Sequence, residues 1–288
     1  MSGEASTDRG TTLQEQTEAP EAAFDARSIG VAGDTRQYHV TEEAMLAYAA
    51  ATDDVPGGPV FAIVPVWETI APASRSVASD EARKRVVHYE HDIVIHRPIE
   101  AGDTLTARAT PIALLPRPNG TSLVIHVETT GEDGAPVNEQ YVTEFFRGIV
   151  AEESIGERAP DHRLNEDGTD PLAEVAYRIA GDQPDRYAAA SGDDFAIHLD
   201  DGFARAVGLP GRIVHGLCTM AFAARGVLEA AAVDDPRRVR RVAVRFSAPL
   251  FPGDSVTTRV WRTDGGFGFE SLGGDGAPIL KDGLLELG

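Results

Sequence analysis

With 46 acidic against 26 basic side chains among 288 residues, a formal net charge of −20, the chain repels nucleic acid and anionic membranes over most of its surface. Its length lets it bury a substantial core without staples, and the single cysteine, Cys218, excludes an internal disulfide framework and any Cys-based zinc site. The first residues lack the apolar core of a signal peptide and no later run approaches bilayer length, so a soluble, cytoplasmic protein without nucleic-acid or membrane partners is expected.

Residues 1–34 are polar, acidic and broken by Gly and Pro, and read as a disordered tail. A first folded unit is expected over 35–151. In it Val40 to Thr52 predicts a short helix with Thr41 as N-cap, and Phe61 to Thr69 a longer apolar helix. Alternating or β-branched runs then predict strands at Val86 to Ile95, Thr104 to Leu115, Ser122 to Thr129 and Gln140 to Val150. His88 and His91 fall on opposite faces of such a strand, which argues against a metal pair.

Residues 152–170 are again polar and acidic and predict a linker. A second unit over 171–288 repeats the plan of the first. Its expected elements are a strand at Val175 to Ile179, a helix at Gln183 to Ala190 and a long helix from about His215 to Ala232. Strands follow at Val239 to Ser247, Ser255 to Arg262, Phe267 to Leu272 and Leu284 to Leu287. One helix laid across a curved antiparallel sheet, twice over, is the α+β solution to this pattern.

The two units also share sequence. Tyr48 to Thr52 reads YAAAT and Tyr187 to Ser191 reads YAAAS, while Pro98 to Arg108 (PIEAGDTLTAR) matches Pro249 to Arg259 (PLFPGDSVTTR) in its Pro, Gly-Asp and Thr-x-Arg positions. The matches keep their order, but their offset grows from the first pair to the second. The second unit therefore carries an insertion between them, within the stretch that runs from Asp194 to Gly216.

The segment that contains it opens with Ser191-Gly-Asp-Asp-Phe-Ala-Ile-His198 and closes with Val214-His-Gly216. It resembles the hallmark of the MaoC-like dehydratases, the (R)-specific enoyl-CoA hydratases: a Ser-Gly-Asp-x-Asn-Pro-Ile-His segment, then a His-Gly that opens the central helix of a hot-dog fold. Phe195 and Ala196 stand where that family commonly has Asn and Pro. Together with the repeat, the resemblance implies a double hot-dog fold and reversible hydration of 2-enoyl-CoA to (R)-3-hydroxyacyl-CoA, within fatty acid metabolism.

Hydration of a conjugated thioester needs a base for water, an acid for the α-carbon and a donor for the developing oxyanion. Asp193 and His198 suit the first two, and the resemblance implies that they grip one water. Five residues apart, they converge only through an irregular segment, which Gly192 permits. Gly216, at the start of the long helix, offers an unsatisfied N–H at the positive end of the helix dipole; it also reads as a close-packing glycine. His215 reads as a packing or capping residue at the helix entrance.

Candidate substrate contacts are Ser191, which is equally a turn residue, Phe195, and the arginines Arg237, Arg238 and Arg240, which with Arg241 form a cluster that suits phosphate or is a solvated strand edge. The substrate expected is an acyl-CoA or acyl-carrier thioester, with no cofactor and no metal. The first unit has Asp53 and Asp54 but no following histidine, and is expected to be catalytically empty, enlarging the acyl site. The fused units suggest a monomeric pseudo-dimer or a homodimer. A non-catalytic acyl-thioester-binding subunit and a thioesterase are the alternative functions.

Overall fold

Two sets of five antiparallel strands, laid out in the same order, join edge to edge into one sheet. In copy one, β1 (Thr35–His39), β2 (Val86–Ile95), β3 (Thr104–Arg117), β4 (Gly120–Thr130) and β5 (Pro136–Arg147) lie in the order β1-β3-β4-β5-β2. A two-residue β6 (Ile155–Gly156) pairs beside β3. In copy two, β7 (Ala173–Arg178), β8 (Val239–Phe246), β9 (Ser255–Thr263), β10 (Gly266–Gly273) and β11 (Pro278–Leu287) lie in the order β7-β9-β10-β11-β8. The second strand of each copy pairs with its counterpart, Asp92 opposite Ala243 and Ile93 opposite Val242. The computed structural model describes residues 23–164 and 170–288.

The helices repeat as well, with one difference that matters. Copy one has α1 (Glu42–Ala51), a 3-10 stretch Pro59–Val66, α2 (Trp67–Val77) and α3 (Asp80–Arg83). Copy two has α4 (Gln183–Ser191), the short α5 (Ala196–Leu199) and α6 (Asp201–Ala206), and α7 (Gly216–Ala230). Residues 192–215 separate α4 from α7, against only 52–58 between α1 and the 3-10 stretch, so the insertion falls where the sequence repeat places it.

α7 (Gly216–Ala230) is uninterrupted because it lacks proline and is rich in Ala, Leu and Met, and burial of Leu217, Met220, Phe222, Val227 and Leu228 outweighs the poor propensity of Gly226. Each such side chain contributes about 1.5–3 kcal/mol on leaving water. The copy-one helix, expected over Phe61 to Thr69, instead runs from Pro59 to Val77, and its first half is wound as 3-10. Pro65 has no N–H for an i→i−4 bond and crowds the preceding turn, which explains the change of winding.

Contacts across the copies are specific. Asp92 is 1% exposed and takes Arg241 in a two-pronged ion pair, Nε to Oδ1 at 3.0 Å and Nη2 to Oδ2 at 2.7 Å. The hydroxyls of the two repeat tyrosines, Tyr48 and Tyr187, lie 3.4 Å apart at the α1–α4 contact. The 139-residue spacing of the YAAA segments is thus a pair of equivalent positions facing each other.

Three expectations change. His88 and His91 do not face opposite ways: an irregularity in the β2–β5 register between His88 and Glu90 turns both rings to one side, where His88 Nε2 and His91 Nδ1 are 3.1 Å apart. Of the expected tail, residues 1–22 lie outside the described residues, but 23–34 dock on copy one: the Phe24 ring meets Phe146 edge-on at 5.2 Å and the Asp25 N–H donates to the Val77 carbonyl at 2.7 Å. Of the expected linker, 165–169 lie outside the described residues, whereas His162 Nδ1–H donates to the Asp282 carbonyl at 2.6 Å.

Candidate active site

α4 ends at Gly192, whose φ of +81° suits a residue without a Cβ and turns the chain sharply out of the helix. That turn swings Asp193 inward. Its N–H donates to Ser191 Oγ at 3.2 Å, so Ser191 is a turn residue, buried beneath the carboxylate it helps to place. One Asp193 carboxylate oxygen accepts from the Phe195 N–H at 3.3 Å, and the single turn of α5 then carries His198 back toward it.

Both histidines of the segment are held in one tautomer. His198 Nδ1 lies 2.9 Å from the Ile213 carbonyl, which only accepts, so Nδ1 carries the proton and Nε2 keeps its lone pair. His215 Nε2 donates to the Asp193 carbonyl at 3.0 Å, so its lone pair is on Nδ1, a buried atom without a partner among the described residues. The two rings stack, centroids 3.8 Å apart and 23° from parallel. His215 is therefore a packing residue at the helix entrance; its side chain makes no N-cap hydrogen bond.

Asp193, His198 and His215 are 8%, 7% and 1% exposed. Burial pushes the Asp193 carboxyl up to about 6, with Asp194 adding to the shift. Burial holds His198 down to about 4 and His215 down to about 3, the latter also through its neighbour His198. Near neutrality the site thus pairs an ionised carboxylate with an imidazole that is neutral and an acceptor.

Gly216 is the first residue of α7, and the first turn has no side-chain cap. Its N–H sits among the unsatisfied donors at the positive end of a 15-residue helix. Close packing is present too: a Cβ at Gly216 would meet the Phe246 ring at 2.9 Å. That ring is held in turn by His88 of copy one, edge-on at 4.8 Å. Neither Phe246 nor the Ile213 carbonyl was readable in the sequence, since one is an ordinary strand aromatic and the other a backbone group.

The remaining candidates lie elsewhere. Phe195 is 56% exposed and rests edge-on against Phe203. Arg237 is paired with its neighbour Asp235, Arg238 reaches the Gly288 carbonyl, and Arg240 bonds the Arg237 carbonyl. These arginines sit at the start of β8, whereas Phe246 and the segment from Asp193 to Gly216 are at its end, about 20 Å along the strand. Of the acidic pair of copy one, Asp53 takes Arg186 of α4 across the copies at 3.1 Å and Asp54 accepts from the Val55 N–H at 2.8 Å within its own loop. A cleft there is lined by Tyr48, Ala49, Val60 and Phe61 and reaches Ala221 of α7.

Comparison with known proteins accounts for both halves. Residues 28–148 match the MFE-2 hydratase 2 N-terminal domain family and residues 163–275 the MaoC like domain family. The chain is 25% identical to 3-hydroxyacyl-thioester dehydratase Y of Mycobacterium tuberculosis over 92% of this chain and 98% of that protein. It is 28% identical to the probable enoyl-CoA hydratase 2 of Dictyostelium discoideum, covering 62% of this chain and 60% of that one. Among solved structures, a MaoC-like dehydratase from Phytophthora capsici superposes with a TM-score of 0.79 at 22% identity, over 88% of this chain and 95% of the other. A Mycobacterium tuberculosis protein described as a double hot dog superposes at 0.57, with 17% identity, over 88% and 96%. No helix of the described residues is long and apolar enough to cross a membrane.

Proposed function

We propose that this chain, which belongs to the MaoC-like dehydratase family in its double hot-dog form, is a hydro-lyase that reversibly hydrates 2-enoyl-CoA to (R)-3-hydroxyacyl-CoA through Asp193, His198 and Gly216. The observation that carries the site assignment is the His198 Nδ1–Ile213 bond, which leaves Nε2 as an acceptor beside the Asp193 carboxylate. Two acceptors side by side are what a water molecule's two O–H groups require.

In the hydration direction the thioester carbonyl oxygen lies at the start of α7 and accepts from the Gly216 N–H. Conjugation carries its polarisation to C3. Water held by Asp193 and His198 Nε2 attacks C3: one O–H bond breaks, the C3–O bond forms, and the electron pair of the double bond moves toward C2 while negative charge gathers on the thioester oxygen. The proton taken from water, or its equivalent, is delivered to C2 as the charge returns. A carboxyl held near 6 serves both as acceptor and as donor at neutral pH, so the pair regenerates without a cofactor.

The acyl chain is proposed to follow α7 from Gly216 toward Ala221, five residues or about 7.5 Å along the axis, where the narrow cleft of copy one has to widen to admit it. The short 52–58 connection forms one wall of this cleft, through Thr52, Asp54, Val55 and Gly57. The CoA nucleotide is proposed to lie on the outer surface, away from Arg237, which borders the copy-one cleft beside Gly57.

The test is to incubate the wild-type chain with crotonyl-CoA and a longer 2-enoyl-CoA, following the absorbance of the conjugated thioester, free thiol and the configuration of the product. Loss of conjugation with formation of the (R)-3-hydroxy product and no thiol is the expected result. Thiol release would replace hydration by thioester hydrolysis, and binding without any loss of conjugation would leave a non-catalytic binding subunit.

A further inference from the structure

The catalytic segment holds more ligating capacity than hydration uses. One donor atom each from Asp193, His198 and His215 lies within 4.8 Å of the others, the trio of this kind found among the described residues. A water gripped by Asp193 and His198 leaves the Nδ1 lone pair of His215 unused. That atom is buried and without a partner among the described residues, in a side chain 1% exposed.

The second contacts of the two imidazoles are those of metal ligands. A ligating histidine ordinarily donates its other ring N–H to a carbonyl or carboxylate, which fixes the tautomer and directs the lone pair. His198 does this through Nδ1–H to Ile213 and His215 through Nε2–H to Asp193. Two imidazole nitrogens and one carboxylate oxygen form a donor set suited to zinc rather than to magnesium or calcium, which favour all-oxygen sites. The same segment carries Asp194, Asp200 and Asp201, and the net charge of −20 draws cations toward the surface.

We infer that Asp193, His198 and His215 form an inhibitory site for a borderline-soft divalent cation, with zinc as its probe. Around zinc, at about 2.0–2.1 Å from each ligand, donors sit about 3.3 Å apart and the imidazole centroids about 5 Å apart, so closing the trio takes rotation of the Asp193 carboxylate and an opening of the stacked rings, now 3.8 Å apart, by about 1 Å with a tilt that lets their lone pairs converge. The cation and the reaction exclude each other: the lone pairs that bind zinc are those that hold the attacking water. Inhibition, unlike binding, rests on the hydration mechanism proposed above, so binding is measured without substrate.

The experiment titrates the full chain with zinc against a chromophoric chelator, and separately with cobalt, whose visible bands report the ligand field. Wild type is expected to take up one equivalent at this site, and Asp193→Asn, His198→Ala and His215→Phe each to weaken it about tenfold or more. His126→Ala, on the surface where His96 and His126 share Glu139, is expected to leave that equivalent in place. Zinc should block turnover over its binding range, and a chelator should restore it. No stoichiometric uptake, or uptake unchanged in all three site variants, overturns the site. Turnover that rises with zinc overturns the inhibitory role. A chain that binds zinc through these residues but hydrates nothing refutes the enzymatic reading alone.

Discussion

Replacing Gly216 by alanine tests the oxyanion assignment through a contact already measured. The added Cβ would stand 2.9, 3.0 and 3.4 Å from three carbons of the Phe246 ring, where ordinary contact begins near 3.4 Å. An overlap of about half an ångström must be absorbed by moving either the ring or the first turn of α7. The ring has little freedom, because His88 packs against it at 4.8 Å and is itself fixed to the buried His91. The helix start is therefore expected to move, taking the Gly216 N–H away from the thioester oxygen.

Overpacking of this kind costs about 1–3 kcal/mol, offset by up to about 1 kcal/mol from alanine's better helix propensity, so the variant should fold with a modest loss of stability. Its effect on turnover should be larger. Loss of one oxyanion donor costs about 10²–10³ in kcat, and a partial displacement should cost about 10- to 100-fold. The assay is the decay of enoyl-thioester absorbance at saturating substrate, paired with thermal unfolding. The second variant is decisive: Phe246→Leu in the Gly216→Ala background removes the clashing ring and should restore most of the loss. Wild-type kcat in Gly216→Ala, or no recovery in the double variant, would mean that the Gly216 N–H is not the oxyanion donor or is not displaced through Phe246.

Further outcomes follow from the buried charges. Asp193 has a folded value of about 6 against 3.8, so its contribution to stability is full below 3.8 and lost as pH rises through about 6. Asp193→Asn should accordingly be more stable than wild type at pH 8, by at most about 3 kcal/mol, and equal to it below pH 3.8; denaturant titrations at the two pH values decide this. His198 runs the other way: held at about 4 against 6.5, its contribution is present above 6.5 and lost as pH falls through about 4. The kcat/KM profile should show an acid limb near 6, set by Asp193; a limb near 4 would contradict the buried-carboxylate assignment. At the seam, Arg241→Met strands the buried Asp92 carboxylate and should cost about 3–5 kcal/mol in urea unfolding, which adding Asp92→Leu should largely recover.

How much of this was legible in the sequence depends on the kind of interaction. Local signals read well: Thr41 caps α1 by accepting from the Ala44 N–H, β2 spans Val86–Ile95 as expected, and the YAAA repeat locates the α1–α4 contact. The motif also marked the residues that Gly192 and α5 bring together. What depended on long-range pairing did not read. The register irregularity at His88 is set by β5 across the sheet, and it overturns the simple alternation that places the two histidines on opposite faces. The 3-10 winding of Pro59–Val66 is a local effect of Pro65 that apolar character alone obscured. The arginine cluster was conspicuous as sequence, yet its charges are engaged with Asp235 and main-chain carbonyls at the far end of β8 from the catalytic segment.

The central claim is that one site, in copy two, carries out hydration through Asp193 and His198. Its most direct test is the initial rate of crotonyl-CoA hydration by His198→Ala and Asp193→Asn beside wild type, with circular dichroism to establish that each variant is folded. Each variant is expected to lose about 10²-fold or more in kcat, and the double variant little beyond the worse single one, because the two groups act on one water. Rates within a few-fold of wild type in either folded variant would contradict the claim.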